Sequence, residues 1–498
     1  MLAVINIVKE HNDSYDHVLK YTGMFGGVQG LIILIGLVRS KFMALLLGTS
    51  GMGFNALLVS VQNFASQCTN LGISFGAVPK LSECFEPRQQ EQLTYYIQVV
   101  RLWSLIAAVL GFLFCIVISP LMNDLSFTWG NHTLHYAVLA LSVGMIAVTA
   151  GETAILKATR RLGALAKIQV YTALASLLLS VPLYYLYGHS GVVPAIVLIA
   201  TMTMLMTIGY SYRCYPLRLQ FTRGQLRSGA SMIRLGVSFV LASAIGSASE
   251  MLIRAFLNVE GGLTDVGLYN VGSMLAITYA GMVFSSMDTD YFPRLSAVSK
   301  DIAKTNETVN KQMEVSLLIL APMLVALLTV LPVLVPLLFS KAFVAVVSMA
   351  QVAVLAMYFK VLTMPISFIT LARSRSLSYL FLEMSYFVVL IVSVVLGFRW
   401  WGIWGTGLAI VVAHVAELVV TGCYGYWQYG YRTTTAIARY ACIQIAIGLT
   451  AYAVTWLADG WLYWTTEAAL TIVSTAYSVH VLRQKTHLWE TLLRKFRT

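Results

Sequence analysis

Charge is scarce in this chain: Asp, Glu, Lys and Arg make up 11% of its 498 residues, whereas 58% are hydrophobic. A soluble domain carries about 25% charged residues, so a water-soluble globular fold is excluded. Cysteine is sparse as well. The six cysteines are scattered, and none forms a CxxC pair or a metal-ligand spacing. A disulfide framework and a structural zinc site therefore have no basis, and small packing residues are the simpler reading. A Walker-type phosphate loop is also missing, which argues against direct ATP coupling within the chain. No cleavable signal is expected, because the first apolar run is too long, starts too far in and lacks a small-residue cleavage site.

Apolar helix fills the chain instead. Fourteen runs of about 20 mostly apolar residues, the length that spans a bilayer, lie between residues 21 and 481. With the N-terminus placed in the cytoplasm, 27 of the 33 Lys and Arg fall in inward-facing segments and two, Lys341 and Arg399, in outward loops. The remaining four, Arg39, Lys41, Arg254 and Lys360, sit within helices. Such an imbalance in short loops orients the array with both termini cytoplasmic. The formal charge of +12 then matches the anionic inner leaflet and calls for no nucleic-acid partner. Outward loops are short. The longest, near 120–134, has Asp124 as its only acid, with His132 and His135 nearby. A glycosyltransferase or polymerase acting outside would need a sizeable loop with acidic or metal-binding groups, so an enzyme is not expected, nor a cofactor or metal.

The chain also nearly repeats itself. Residues 53–82 and 267–296 align at a constant offset that pairs Gly53 with Gly267, Pro79 with Pro293, Lys80 with Arg294, Leu81 with Leu295 and Ser82 with Ser296. Upstream, Gly36-Leu-Val-Arg39 faces Met251-Leu-Ile-Arg254 across a one-residue gap. Two related halves in a very apolar chain are a transporter signature, with the substrate path between the repeats. The expected division is an N-lobe of helices 1–6 (residues 1–222), a C-lobe of helices 7–12 (223–431), and helices 13–14 with a C-terminal tail (432–498). In that tail Leu488, Trp489, Leu492, Leu493 and Phe496 share one helical face among basic residues. A basic amphipathic helix on the inner leaflet and a plain positive-inside tail both fit.

Charges at mid-bilayer are costly, so each is a candidate with a structural rival. Arg39 lies past the middle of helix 1, and a guanidinium there suits a diphosphate, whose oxygens it can grip in pairs. Its rival role is snorkelling or a folding pair. Lys41 falls on nearly the opposite helix face and reads as the snorkeller. Arg254 has Glu250 one turn earlier, a favourable local ion pair. Lys360 has no acid nearby in sequence; a substrate-facing or proton-coupled lysine and a structural pair with Glu383 both fit. Glu417 and Glu467 are isolated acids that can titrate with a coupling proton. Asp288 and Asp290 read as a solvated cap before Arg294. Trp400, Trp401, Trp404, Trp461 and Trp464 fit an interfacial aromatic belt.

The segment Gly36-Leu-Val-Arg39, Leu47-Gly-Thr-Ser-Gly-Met-Gly53, Gly72-Ile-Ser-Phe-Gly76 and Pro79-Lys-Leu resembles the opening of bacterial lipid-linked oligosaccharide flippases. These belong to the multidrug/oligosaccharidyl-lipid/polysaccharide exporter superfamily. Tyr291-Phe-Pro-Arg-Leu-Ser, Phe339-Ser-Lys-Ala-Phe343, Phe359-Lys360 and Tyr379-Leu-Phe-Leu-Glu383-Met-Ser extend the resemblance to O-antigen and enterobacterial common antigen translocases. The resemblance implies two pseudo-symmetric six-helix lobes around a cationic cavity, and alternating access in the bacterial inner membrane. The implied substrate is an undecaprenyl-diphosphate-linked oligosaccharide. Membrane lipids and polysaccharide polymerase or assembly proteins are the implied partners. By the same resemblance Arg39 matches a first-helix arginine shared with the lipid II flippase. Helix 8, starting Tyr269-Asn-Val-Gly-Ser-Met-Leu, lacks the arginine found there, which argues against a peptidoglycan precursor. The rival expectations are a cation-coupled multidrug exporter of the same superfamily and a membrane polysaccharide polymerase or ligase.

Overall fold

The computed structural model describes residues 2–85, 89–217, 222–286 and 291–485, with side chains from Val28 onward save a few in the helices around 74, 235 and 283. The tail at 488–497, Asp288 and Asp290 lie outside the described residues. Every regular element among the described residues is helical. The α-helices are α1 (Leu2–Thr69), α2 (Ile73–Glu83), α3 (Gln90–Ser126), α4 (Thr133–Ala158), α5 (Leu162–Tyr187), α6 (Val192–Cys214) and α7 (Arg223–Glu260). They continue with α8 (Leu263–Ser286), α9 (Phe292–Val298), α10 (Ile302–Leu338), α11 (Val347–Ala372), α12 (Ser376–Tyr429), α13 (Thr435–Leu457) and α14 (Gly460–Lys485).

Two of these are double. α1 breaks at Gly48 (φ 66°) and α12 at Gly402 (φ 60°), each where the apolar pattern predicts a turn between spans. Glycine adopts such angles without the Cβ penalty of other residues. Two others, α2 and α9, are short. Counting each limb of α1 and α12 separately, the described residues form fourteen long helices, in keeping with the all-α membrane fold of about fourteen spans that the sequence predicts. Nine described stretches meet a strict length-and-apolarity criterion for crossing a membrane, and three of them contain two limbs each. Large apolar side chains face outward as lipid contact requires; Val117, Leu178 and Leu457 are 75%, 70% and 84% exposed.

The sequence repeat becomes a structural one at α2 and α9. Each follows a long helix and carries Pro-Lys/Arg-Leu-Ser. In each the leucine, Leu81 or Leu295, is fully buried while the preceding cation stays at the rim.

The chain forms two compact units. Unit 1 comprises residues 1–51 and 58–240, and unit 2 comprises 52–57 and 241–498. In unit 1, α3 and α4 pack along their length, with α2 and α6 against α4. Leu81, Val99, Val100, Ala107 and Ile155 fill the core between them. Small residues let these backbones approach, as membrane helices require. The N-terminal part of α7 docks on α3 through Gln225 to Gln98 (3.1 Å) and Ser228 to Tyr95 (3.1 Å).

Unit 2 is built around α11, which is buried on almost every side, the pattern of a central helix. α8, α10 and α12 surround it, and α13 and α14 pack on α10. The last two helices are held by polar contacts: Gln444 Nε2 donates to Ser478 Oγ (2.8 Å), Ser474 Oγ to Gln444 Oε1 (2.7 Å), and Thr329 Oγ1 to Glu467 Oε2 (2.9 Å). Glu467 is thereby tied to α10 through one oxygen, while its Oε1 has no partner.

Candidate functional site

Arg39 sits in the first limb of α1, nine residues before the break at Gly48, or roughly 13 Å along the axis at 1.5 Å per residue. Its side chain is half-buried, and its Nε makes no hydrogen bond. Its charge acts on the hydroxyl of Tyr184 in α5, and no carboxylate pairs with it among the described residues. A guanidinium in an apolar span with donors to spare is equipped to take an anion. Lys41, two residues on, is half-buried with partners of its own.

Unit 2 holds the other predicted charges. Arg254 pairs with Glu250 through Nη1, and its Nη2 donates to Asn270 Oδ1 of α8 at 3.2 Å. Its Nε has no partner. Lys360 makes no direct ion pair with Glu383 among the described residues; its ammonium instead lies 5.6 Å from the ring centre of Phe284. Such a contact contributes about 0.5–2 kcal/mol, leaving the ammonium's hydrogen-bond donors available. The charge of Lys360 still acts on Glu383, which accepts from Tyr379 and lies in the field of Glu417. Glu417 in turn holds His414, Nδ1 to Oε2 at 2.7 Å. The structure thus gathers Lys360, Glu383 and Glu417 into one electrostatic neighbourhood, with Glu250 and Arg254 linked to it through Tyr386 and Tyr269.

Sequence reasoning does not find one buried ion pair. In unit 1, Arg101 of α3 grips Glu152 of α4 with two bonds, Nε to Oε1 at 2.8 Å and Nη2 to Oε2 at 3.3 Å. Arg101 also donates to the carbonyls of Pro216 (3.1 Å) and Tyr215 (2.9 Å) and stacks over Tyr212. Ser211 Oγ donates to Glu152 Oε2 at 2.5 Å. By position Arg101 reads as one more cation of the cytoplasmic rim. An acid inside the apolar run that became α4 was the available signal. A cavity of about 730 Å³ opens beside this pair, lined by Gln90, Thr94, Gln98, Arg161 and Tyr215 among others.

Comparison with known proteins agrees with the fold. The model of a family described as "Polysaccharide biosynthesis protein" matches residues 42–348. No curated protein sequence matches the chain. Among solved structures, an inward-facing multidrug resistance MATE family transporter of the MOP superfamily superposes with a TM-score of 0.64 at 14% identity, covering 82% of this chain and 96% of its own. The lipid II flippase MurJ, in an inward closed conformation, gives 0.61 at 14% identity over 92% of this chain and 99% of its own. A MOP superfamily transporter from Pyrococcus furiosus gives 0.52 at 15% identity over 82% and 93%. At these identities the likeness concerns the fold: this chain has the architecture of MOP superfamily transporters.

Proposed function

The chain belongs to the family of polysaccharide biosynthesis proteins, and from that premise we propose that it is a flippase. Its substrate in this reading is an undecaprenyl-diphosphate-linked oligosaccharide of the O-antigen or enterobacterial common antigen type. The head group passes from the inner to the outer leaflet of the bacterial inner membrane by alternating access, with both termini of the protein cytoplasmic. The lobes that move are residues 1–222 and 223–431. The observation that carries this reading is Arg39, a half-buried arginine with an unpartnered Nε in an apolar span. A sugar head group and two phosphate charges cannot cross hydrocarbon unaided, whereas a polyprenyl tail stays in lipid. Arg39, with Lys360 and Arg254, replaces the water that the phosphates lose. Outward movement of negative charge is favoured by an inside-negative potential, by about 2.3 kcal/mol per charge per 100 mV.

The test is deletion of the gene followed by measurement of undecaprenyl-diphosphate-linked glycan on each membrane face. Intact lipid-linked glycan is expected to accumulate on the cytoplasmic side. Complementation with Arg39→Ala is expected to fail although the protein is inserted, and Arg39→Lys to restore part of the activity. Loss of a charged hydrogen bond of about 1.5–3 kcal/mol corresponds to a tenfold or greater drop in head-group affinity. Unchanged sidedness in the deletion would refute the reading. A second reading, a cation-coupled multidrug exporter, is favoured by the acids Glu250, Glu383 and Glu417 in unit 2. It predicts unchanged sidedness together with raised drug sensitivity.

A further inference from the structure

The proposed function uses Lys360 and Arg254 but leaves unexplained a buried imidazole on which the charge of Lys360 acts. His414, in the second limb of α12, is 3% exposed. On one side its Nδ1 meets Glu417 Oε2 at 2.7 Å. On the other its Nε2 lies 3.4 Å from the hydroxyl of Tyr386, whose ring stacks on the imidazole with centroids 4.8 Å apart. Tyr386 comes from the first limb of α12, so the histidine is held between the two limbs of one broken helix. Glu383, three residues before Tyr386, lies in the field of Glu417 and of Lys360 from α11. Lys360 acts on His414 as well. Glu250 of α7, which carries Arg254, and Tyr269 of α8 act on Tyr386. Glu417, Lys360 and Tyr386 thus act on the imidazole itself, and Glu250, Tyr269 and Glu383 reach it only through Tyr386.

The charge inventory is uneven. Arg254 and the half-exposed Glu250 satisfy each other, which leaves one cation, Lys360, among two ionisable acids, Glu383 and Glu417. With both acids ionised and His414 neutral, the set of Lys360, Glu383 and Glu417 carries one net negative charge, an arrangement that membrane interiors penalise. One added proton cancels it. The contact between His414 and Glu417 accommodates that proton directly, as an imidazolium–carboxylate pair with Tyr386 turned to accept from Nε2.

We infer that His414, Glu417 and Tyr386 form a proton-binding site whose proton sets the charge around Lys360 and thereby admits the diphosphate. The inference rests on the flippase reading for the identity of the anion, but not for the existence of the proton site. Without the proton, the excess acid opposes a phosphate approaching Lys360. With it, the set is neutral and the free donors of Lys360 and Arg254 are available. Proton and diphosphate then bind together, and linkage makes the effect reciprocal.

The test uses the full chain purified into lipid nanodiscs, with farnesyl diphosphate as probe, in sodium-free and sodium-containing buffer. Wild-type affinity is expected to rise about fivefold or more from pH 8 to pH 6, the lower range of such couplings. Glu417→Gln, which mimics the protonated acid at nearly unchanged volume, is expected to bind at pH 8 as tightly as the wild type does at pH 6, with a flat profile. A second measurement needs no ligand: the infrared difference spectrum between pH 8 and pH 5.5. It should contain imidazole and carboxyl bands that vanish in Glu417→Gln and in His414→Asn. A wild-type pH profile retained in Glu417→Gln, bands unaltered in both variants, or bands that appear only when sodium is added would each overturn the proton site. If farnesyl diphosphate binds at no pH while the bands behave as expected, the proton site stands and the flippase reading fails.

Discussion

The two units each bury a set of charges, and the sets are finished to different degrees. In unit 1, Arg101 and Glu152 are 3% and 2% exposed, and all the donors and acceptors that matter are matched: two bonds between them, two backbone carbonyls, one serine and one aromatic face. In unit 2, Lys360 faces Glu383 without touching it, and His414 and Glu417 pair while other acids lie nearby. Buried charges with every partner in place fix one geometry. Charges left short of partners keep a capacity for something that arrives and leaves. On this comparison the unit 1 set has the makeup of a structural clasp, and the unit 2 set is the one that the proposed function puts to work.

The largest expected effect breaks the clasp. Arg101→Ala strands Glu152 as an uncompensated buried acid, and loss of one partner of a buried pair typically costs about 3–5 kcal/mol. A fall of several degrees in the thermal unfolding midpoint of detergent-purified protein is expected. The double variant Arg101→Met/Glu152→Leu should recover most of the loss, because apolar replacement of a whole buried pair is often neutral. Lys360→Met, which breaks no direct ion pair among the described residues, should by contrast destabilise less than Arg101→Ala while weakening diphosphate binding. Equal destabilisation by Arg101→Ala and Lys360→Met would abolish the distinction between the two sets.

The same comparison shows which features the sequence reveals. Long apolar runs, the positive rim and the glycine breaks at Gly48 and Gly402 are local signals, and they suffice for the helical membrane fold. Arg39 and Lys360 stand out because a charge in an apolar run is visible without any partner. The Arg101–Glu152 pair is a contact between residues 51 positions apart, and nothing local records which acid meets which base. His414 escaped for a related reason. An uncharged histidine in an apolar helix attracts no notice until the chain folds back at Gly402 and brings Tyr386 against it. The aromatic contact of Lys360 with Phe284 is likewise set by how α8 meets α11, which no single helix encodes.

Packing supplies a second contrast of intermediate size. Gly53, at the start of the second limb of α1, lies directly against the backbone of Leu263 at the head of α8, where an added Cβ would meet the carbonyl oxygen well inside contact distance. Backbone cannot yield as a side-chain tip does, so Gly53→Ala is expected to cost about 1–3 kcal/mol. Gly36, in the first limb of the same helix, has nothing within 4 Å of the corresponding position. Gly36→Ala should therefore be neutral or stabilise by up to about 1 kcal/mol through helix propensity. Thermal midpoints of the two variants measured side by side decide the matter, and a harmless Gly53→Ala would show that α1 and α8 do not meet through this glycine.

The smallest expected effect separates two histidines, one in each unit. His132 occupies the N-cap position of α4 in the segment after α3, with its ring 3.2 Å from that of His135 and tilted against Phe127. Its burial, and then the charge of His135, hold its imidazole below the usual histidine value. The unfolded chain therefore takes the proton more readily than the folded one, so this contribution to stability is full at neutral pH. It drains away as pH falls through the ordinary histidine value of about 6.5. Between pH 7.5 and 5.5 the wild type should lose no more than about 2 °C to this group. His132→Phe, which keeps a ring against Phe127, should remove that slope while leaving the pH dependence of farnesyl diphosphate binding intact. Glu417→Gln should do the reverse, flattening the binding profile and preserving the slope at His132. If either variant moves both profiles, the two titrations are one, and the assignment of proton coupling to unit 2 alone is wrong.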